Sequence, residues 1–220
     1  DMIGPTGSLE LKNTPQVTMH ACVLQHAASA TVPTLVVDGC ELVLTDSTVI
    51  GSGIGLNGSA IEARNTSTVR IAGPATAVVT ATGAAAVRGA SSNQTVVVGN
   101  GAFVGPVVGV VLQQQSIAAF AGRIDGGNLL QMTMYGNPLG VGAFAVGAPM
   151  NGPVPLFGGS LWLDPLQSGF ADLVAFDLTG RGTWQLQLPP MTGLVAWLQG
   201  VDVGIASTFR LTPPAVVVAP

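Results

Sequence analysis

The sequence predicts an all-β chain in which a short right-handed parallel β-helix of about four coils precedes a β-sandwich. Three observations lead to this prediction. Strand-length segments recur along the first half, no long amphipathic helical pattern stands out, and aromatic residues concentrate in the second half. The expected domains are 1–110 for the β-helix and 111–220 for the sandwich with its C-terminal tail strand.

Four segments of the first half align as repeats. They begin at Leu9, Leu35, Ile61 and Ala85, so their starts are 26, 26 and 24 residues apart. Apolar residues at the first and third positions share one face of a strand. Each segment ends on a residue that tolerates a left-handed backbone, and these predicted coil corners are Asn13, Gly39, Asn65 and Gly89. Three short strands per repeat are typical of a solenoid coil.

The fourth position of the repeat carries a charge in each aligned segment: Lys12, Asp38, Arg64 and Arg88. Strands stacked in register would place these side chains on an outward ladder, with neighbours roughly 4.8 Å apart. The ladder predicts surface ion pairs between Lys12 and Asp38 and between Asp38 and Arg64. Each pair is worth well under about 1 kcal/mol, so we interpret the ladder as structural.

The composition is unusually poor in charge. Only 8% of residues are charged and the formal net charge is −4, while 48% are hydrophobic. Because the chain has no run of basic residues, the sequence does not predict the positively charged surface that binds nucleic acid. The most apolar stretch, Ala102–Leu112, is broken by Gly and Pro and is too short to span a membrane. Weak repulsion between copies favours a homo-oligomer or polymer; the alternative is a secreted monomer with a Thr/Asn-rich surface.

The two cysteines, Cys22 and Cys40, fall in the first two repeats. The chain starts at Asp1 and shows no signal-peptide pattern, which fits a mature, exported form at the cell surface or beyond it. An even cysteine count in an exported chain predicts one disulfide that would staple the first two coils. The alternative is a pair of buried free thiols.

Short predicted strands of five to eight residues alternate with Gly, Pro and Asp turns in the second half, which is typical of an immunoglobulin-like β-sandwich. The tail, Thr212–Pro220, contains an apolar, strand-prone run that follows two prolines. Val216, Val217 and Val218 would be sticky if left in water. We therefore expect this assembly tail to complete its own sandwich or to add to the sheet edge of a neighbouring copy.

Two tracts resemble a known kind of secreted protein. Leu35–Gly105, with LVLTDSTVIGS from Leu42, is similar to right-handed parallel β-helix repeat proteins exported by environmental bacteria such as planctomycetes and myxobacteria. Pro155–Leu211 resembles a C-terminal β-sandwich module of the same proteins through LWLDP from Leu161, LTGRGTWQLQLP from Leu178 and LVAWLQGV from Leu194. The resemblance implies export and an extracellular or surface setting.

The residues suggest no catalytic, cofactor or metal site. Glycosidases need two carboxylates facing one cleft, roughly 5–9.5 Å apart. The densest acidic cluster is Asp38, Glu41 and Asp46, and its first two members flank a corner from which they should diverge. His20 and His26 are the only histidines and lack zinc-site spacing. We therefore expect a protein that is not an enzyme.

Our functional hypothesis is an extracellular structural protein, a filament or cell-surface layer subunit that self-assembles through β-edges and termini. A first alternative is a secreted carbohydrate-binding or adhesion module that holds an extracellular glycan through Trp162, Trp184 or Trp197. A second alternative is a β-helix enzyme that acts on polysaccharides.

Overall fold

The computed structural model describes residues 2–4, 8–26, 31–52, 57–79, 84–91, 93–99, 102–115, 117–125, 127–156, 159–190, 193, 195–204 and 209–218. These residues contain β-strands and no helix, so no described helix is long and apolar enough to cross a membrane. The chain divides into two units, Asp1–Ile117 and Ala118–Pro220.

The first unit consists of three parallel five-stranded sheets. Sheet 1 contains β1 (Met2–Gly4), β4 (Val23–His26), β7 (Thr48–Ile50), β10 (Ala77–Val79) and β13 (Ala102–Val104). Sheet 2 contains β2 (Leu9–Lys12), β5 (Leu35–Asp38), β8 (Ile61–Arg64), β11 (Val87–Gly89) and β14 (Val107–Val108). Sheet 3 contains β3 (Gln16–His20), β6 (Glu41–Thr45), β9 (Thr68–Ala72), β12 (Thr95–Val98) and β15 (Val111–Gln114).

Each strand from β1 to β12 pairs in parallel with the strand three places later, so the chain returns to each sheet once per coil. Alternate residues point inward, and the rows that they form build one continuous core; on β6 these residues are Leu42 and Leu44. No single coil could bury its inner face alone, because only stacked coils cover these rows. The prediction of an all-β chain with a parallel β-solenoid is confirmed.

The solenoid continues beyond residue 110, where the β-helix was expected to end. Val107–Val108 and Val111–Gln114 pair in parallel with β11 and β12, respectively. The first unit therefore ends at Ile117, seven residues after the expected boundary at residue 110.

The second unit contains two antiparallel sheets. Sheet 4 contains β16 (Ala119–Ile124), β17 (Leu129–Tyr135) and β20 (Arg181–Gln187). Sheet 5 contains β18 (Val141–Leu156), β19 (Gly159–Ala175), β21 (Val195–Val203), β22 (Phe209–Leu211) and β23 (Ala215–Val218). Both sheets contribute to a shared core in which Phe120, Phe144 and Leu198 are buried.

Two strands of this unit are much longer than the predicted five to eight residues. β18 has 16 residues and β19 has 17, and together they form one hairpin. The pairing register of the hairpin shifts between Gly147 and Pro149 and again between Pro149 and Val154. Such irregularities bend a strand, and here they follow the Gly and Pro residues that suggested separate short strands.

Candidate functional site

The C-terminal end of the solenoid, formed by β13, β14 and β15, leaves an apolar core row open. Leu42, Val69 and Val96 are stacked in register on successive strands of sheet 3 and are fully buried. Leu112 comes next in this row but is 50% exposed. Its position is that of a core residue, and a further coil stacked on β15 would bury it.

The outward side of this end is also apolar. Val104, Val108 and Val111 are exposed, one on each of the three sheets. Residues 102–114 include no charged side chain, and Pro106 is their only proline. Natural proteins usually protect a free strand edge with charges, prolines or bulges. The last coil has little of this protection, so its edges are suited to pairing.

The N-terminal end of the solenoid, formed by β1, β2 and β3, is less well buried than the coil that follows. The inward side chains of Leu9, Leu11, Val17 and Met19 pack on the core but remain partly exposed. Leu35, which stacks on Leu9 in the next coil, is fully buried. Both ends therefore present strand edges from the same three sheets, and on sheet 3 both present partly exposed apolar residues of a core row.

The charged ladder forms on the first three coils. Lys12 Nζ lies 3.7 Å from an Asp38 carboxylate oxygen. Arg64 lies opposite Asp38 in the register, but its side chain binds Glu62 at 2.6 Å and reaches Glu10 at 3.7 Å. The hydrogen bond with Glu62 raises the pKa of the Arg64 guanidinium. Lys12 is exposed and Arg64 is partly exposed, so each pair is worth little energetically, but the pairs help to specify the register.

Arg88 occupies a different ladder from the predicted one. It pairs with Glu62, and Val87 pairs with Ile61, so the fourth repeat begins at Val87 rather than Ala85. The true spacing is again 26 residues. A shift of two residues keeps every side chain on its face, so Arg88 still lies on the outward side of the sheet.

Three of the predicted corner residues adopt a left-handed backbone: φ is 53° at Asn13, 65° at Gly39 and 51° at Asn65. Gly89 does not, because the shifted register places it within β11. A Cβ at Gly89 would lie 2.0 Å from the carbonyl oxygen of Gly109 on the next coil. Glycine is needed at this position for the close approach of two backbones rather than for a turn.

Buried polar side chains follow the corners, and the sequence interpretation missed them. Ser67 is 1% exposed; its hydroxyl accepts the Gly39 N–H at 2.9 Å and lies 2.9 Å from the Val37 carbonyl oxygen. At the other end of sheet 3, the buried Ser47 hydroxyl accepts the Cys22 N–H at 3.1 Å. The sequence signal that could have revealed these side chains is the recurrence of small polar residues directly after the corners. These hydroxyls satisfy backbone groups where the ladder is interrupted.

Replacing Ser67 with alanine should lower the stability of the solenoid by about 2 kcal/mol, because the hydrogen bonds of the buried hydroxyl with the Gly39 N–H and the Val37 carbonyl oxygen are lost. The neighbouring Thr66 is exposed, so Thr66→Ala should change stability by less than about 0.5 kcal/mol. Urea unfolding followed by far-UV circular dichroism measures both values. Equal effects of the two substitutions would contradict the role assigned to Ser67.

The predicted disulfide is wrong: Cys22 and Cys40 are both free. Cys22 lies level with Ser47 at one end of sheet 3, whereas Cys40 precedes β6 at the other end. The five residues of β6 span roughly 16 Å, and a disulfide requires Cα atoms within about 7 Å. Each thiol instead lies near a carbonyl oxygen, that of His20 for Cys22 and that of Leu11 for Cys40.

Alkylation should find two free thiols and should label Cys22 first. Cys40 is buried, and this burial raises the pKa of its thiol. The protonated form is therefore favoured in the folded state. This preference stabilises the folded state fully at pH values below the pKa of the unfolded thiol. The stabilisation is lost as the pH rises through the pKa of the thiol in the folded state. Iodoacetamide labelling read by mass spectrometry tests this order; protein that reacts only after reduction would contradict it.

The assembly tail docks within its own chain. β23 pairs antiparallel with β21, so that Val216 lies opposite Trp197 and Val218 lies opposite Val195. Val217 points into the shared core and is 3% exposed, whereas Val216 and Val218 face outward. The tail therefore completes its own sheet, and association with a neighbour through these three valines is not supported. Residues 219–220 lie outside the described residues.

Two members of the acidic cluster have partners of their own in the structure. Glu41 binds Arg70 at 2.5 Å, and Asp38 accepts a hydrogen bond from Asn65. Asp46 lies beyond the far end of β6. The Nδ1 atom of His20 lies 3.0 Å from the Thr45 hydroxyl, and the side chain of His26 is outside the described part. Among the described residues, no group of three or more potential metal ligands occurs.

The three tryptophans are not arranged as one exposed platform. Trp184 packs against the core, makes an edge contact with Phe144 and donates its indole N–H to Asp172 at 2.6 Å. Trp197 and Trp162 are half-buried on sheet 5. The backbone N–H of Trp162 donates to Gln199. Trp184 is therefore a core residue rather than a glycan contact.

No protein-family model matches this chain, and no curated protein is significantly similar to it.

Proposed function

We propose that this chain is an extracellular structural protein whose copies associate end to end through the open coils of the solenoid. The half-exposed Leu112, which follows three fully buried residues in its core row, is the observation that carries the proposal. Stacking another coil on β15 would bury this side chain and would pair strand edges that have no partner strand among the described residues.

The two ends of the solenoid present similar strand edges. Each presents three parallel strands, one from each sheet, and apolar side chains occupy core positions at both ends, such as Leu11 and Val17 at the N-terminal end and Leu112 at the C-terminal end. The C-terminal end of one copy can therefore continue into the N-terminal end of the next, as one coil continues into another. Such a contact joins different surfaces of two copies, and it produces an open filament unless the rotation between copies closes a ring.

Low charge supports the same proposal. The net charge is only −4, and the last coil carries no charged side chain, so like-charge repulsion opposes the contact weakly.

The proposal includes further features that rest on sequence patterns. We infer a right-handed solenoid, an immunoglobulin-like sandwich in the second unit, and kinship with the secreted bacterial β-helix proteins that the quoted motifs resemble. Export to the cell surface follows from that resemblance, and no catalytic role is assigned. Glycan binding remains the alternative, and it would depend on Trp162 and Trp197.

Leu112→Lys tests the proposal in the full chain. Leu112 is half-exposed, so a lysine there can reach water in a single copy. In a stacked end its ammonium would be buried without a counter-charge, which costs several kcal/mol and should weaken association by at least about a hundredfold. Sedimentation velocity over a wide range of concentrations measures the effect.

Leu178→Lys is the matched control, because Leu178 is exposed and lies in a turn of the other unit. It should associate as the unmodified protein does. An unmodified protein that remains monomeric at every concentration would overturn the proposed function, and so would equal association of the two lysine variants.

A further inference from the structure

A cavity lies between the two sheets of the second unit. Its volume is about 180 Å³. One wall includes Leu130 and Met132 of β17 and Trp184 of β20. The opposite wall includes Phe144 of β18 with Ala196 and Leu198 of β21. The cavity therefore belongs to the core that the two sheets share.

No polar group is free to hold a ligand or a water molecule in this cavity. Every lining side chain is apolar, and the single polar atom among them, the Trp184 indole nitrogen, donates its hydrogen to Asp172. A buried water needs two to four polar partners, so an apolar cavity of this kind stays dry. A charged or strongly polar ligand would lose its hydration without compensation.

The size of the cavity is informative. Protein interiors contain few voids larger than one water molecule. An apolar cavity of about 150 Å³ is already large enough to hold benzene. Leu186 and Ala171, which also line the cavity, are exposed and mark a rim through which a small molecule could enter.

We propose that this cavity binds a small uncharged hydrocarbon group, about the size of one aromatic ring. Binding replaces an empty space with dispersion contacts to both sheets, and the ligand leaves water for a dry apolar site. The site lies within one unit of a single copy, so the inference is independent of the proposed association.

Benzene is the probe, and the methionine methyl groups are the reporters in nuclear magnetic resonance spectra of the full chain. Met132 lines the cavity, whereas Met134 lies in the same core without lining it. Saturable shifts are expected for Met132 and much smaller ones for Met134. Phenol should bind at least about tenfold more weakly, because its hydroxyl finds no partner. Benzoate should not bind.

Ala196→Leu should fill the cavity and abolish the benzene-induced shift of Met132. Val195→Leu is the matched control, because Val195 is the preceding residue and is exposed. The inference is overturned if Met132 does not respond to benzene, if it responds equally in Ala196→Leu, or if phenol binds as tightly as benzene. The comparison of benzene with phenol uses the unmodified protein, so it decides the matter even if the leucine variant does not fold.

Discussion

Val217→Asp should unfold the second unit, while Val216→Asp should leave it folded. Val217 is 3% exposed between the two sheets, whereas Val216, the preceding residue on β23, is 46% exposed. A carboxylate at position 217 would be buried among apolar side chains without a partner, at a cost of roughly 4 kcal/mol or more. This cost approaches the whole stability of a small domain, which is about 5–15 kcal/mol.

Tryptophan fluorescence reports this result selectively. Trp162, Trp184 and Trp197 all belong to the second unit, and the first unit has none. Val217→Asp should therefore give an unfolded fluorescence spectrum, although the solenoid retains its strand signal in circular dichroism. If both substitutions were tolerated equally, β23 would not be docked on its own sheet, and the tail would again be available to a neighbour.

Ile61→Asn should unfold the solenoid, with a loss of roughly 4 kcal/mol. Ile61 is fully buried and stacks between Leu35 and Val87 on adjacent coils. Stability in a solenoid depends on contacts between neighbouring coils, so a polar residue in a central coil weakens the stack on both sides. The buried amide would also lack hydrogen-bond partners.

Thr68→Asn provides the control for Ile61→Asn, because Thr68 lies on the outward side of the next strand and is partly exposed. Its cost should stay below about 1 kcal/mol. The circular dichroism transition should move to lower urea only in Ile61→Asn, and the tryptophan transition should not move. Similar losses in the two variants would contradict the inward and outward faces described for the solenoid.

The solenoid could be predicted from the sequence because its repeat is encoded by side chains of alternating character. Leu9, Leu35 and Ile61 start strands that pair in the expected register. The fourth repeat was misaligned by two residues because Ala85 and Val87 both fit an inward position. A two-residue shift preserves the alternation, so a hydrophobic pattern alone cannot detect it.

The end of the solenoid, which carries the proposed function, was harder to predict. The last repeat shortens: Val107 follows Val87 after 20 residues, so a search at the earlier spacing loses it. The sequence shows the uncharged stretch around Leu112. Whether this stretch can bind another copy depends on the open strand edge, which only the fold reveals. Sequence composition does not show whether an edge is paired.

The cysteine and tail predictions depended on positions within a coil or sheet. Cys22 and Cys40 do follow corners of the first two coils, but they follow different corners, at opposite ends of sheet 3. The sequence of β23 is compatible with either an internal or an external sheet edge. Only the pairing with β21, which directs Val217 into the core, distinguishes the two.

Fibre diffraction from aligned assemblies of the unmodified protein tests the central claim most directly. In a parallel solenoid the strands run across the axis and neighbouring coils are about 4.8 Å apart along it. End-to-end stacking therefore predicts a strong reflection at about 4.8 Å on the meridian, parallel to the filament axis. A 4.8 Å reflection on the equator, or a protein that forms no assemblies at high concentration, would contradict association through the solenoid ends.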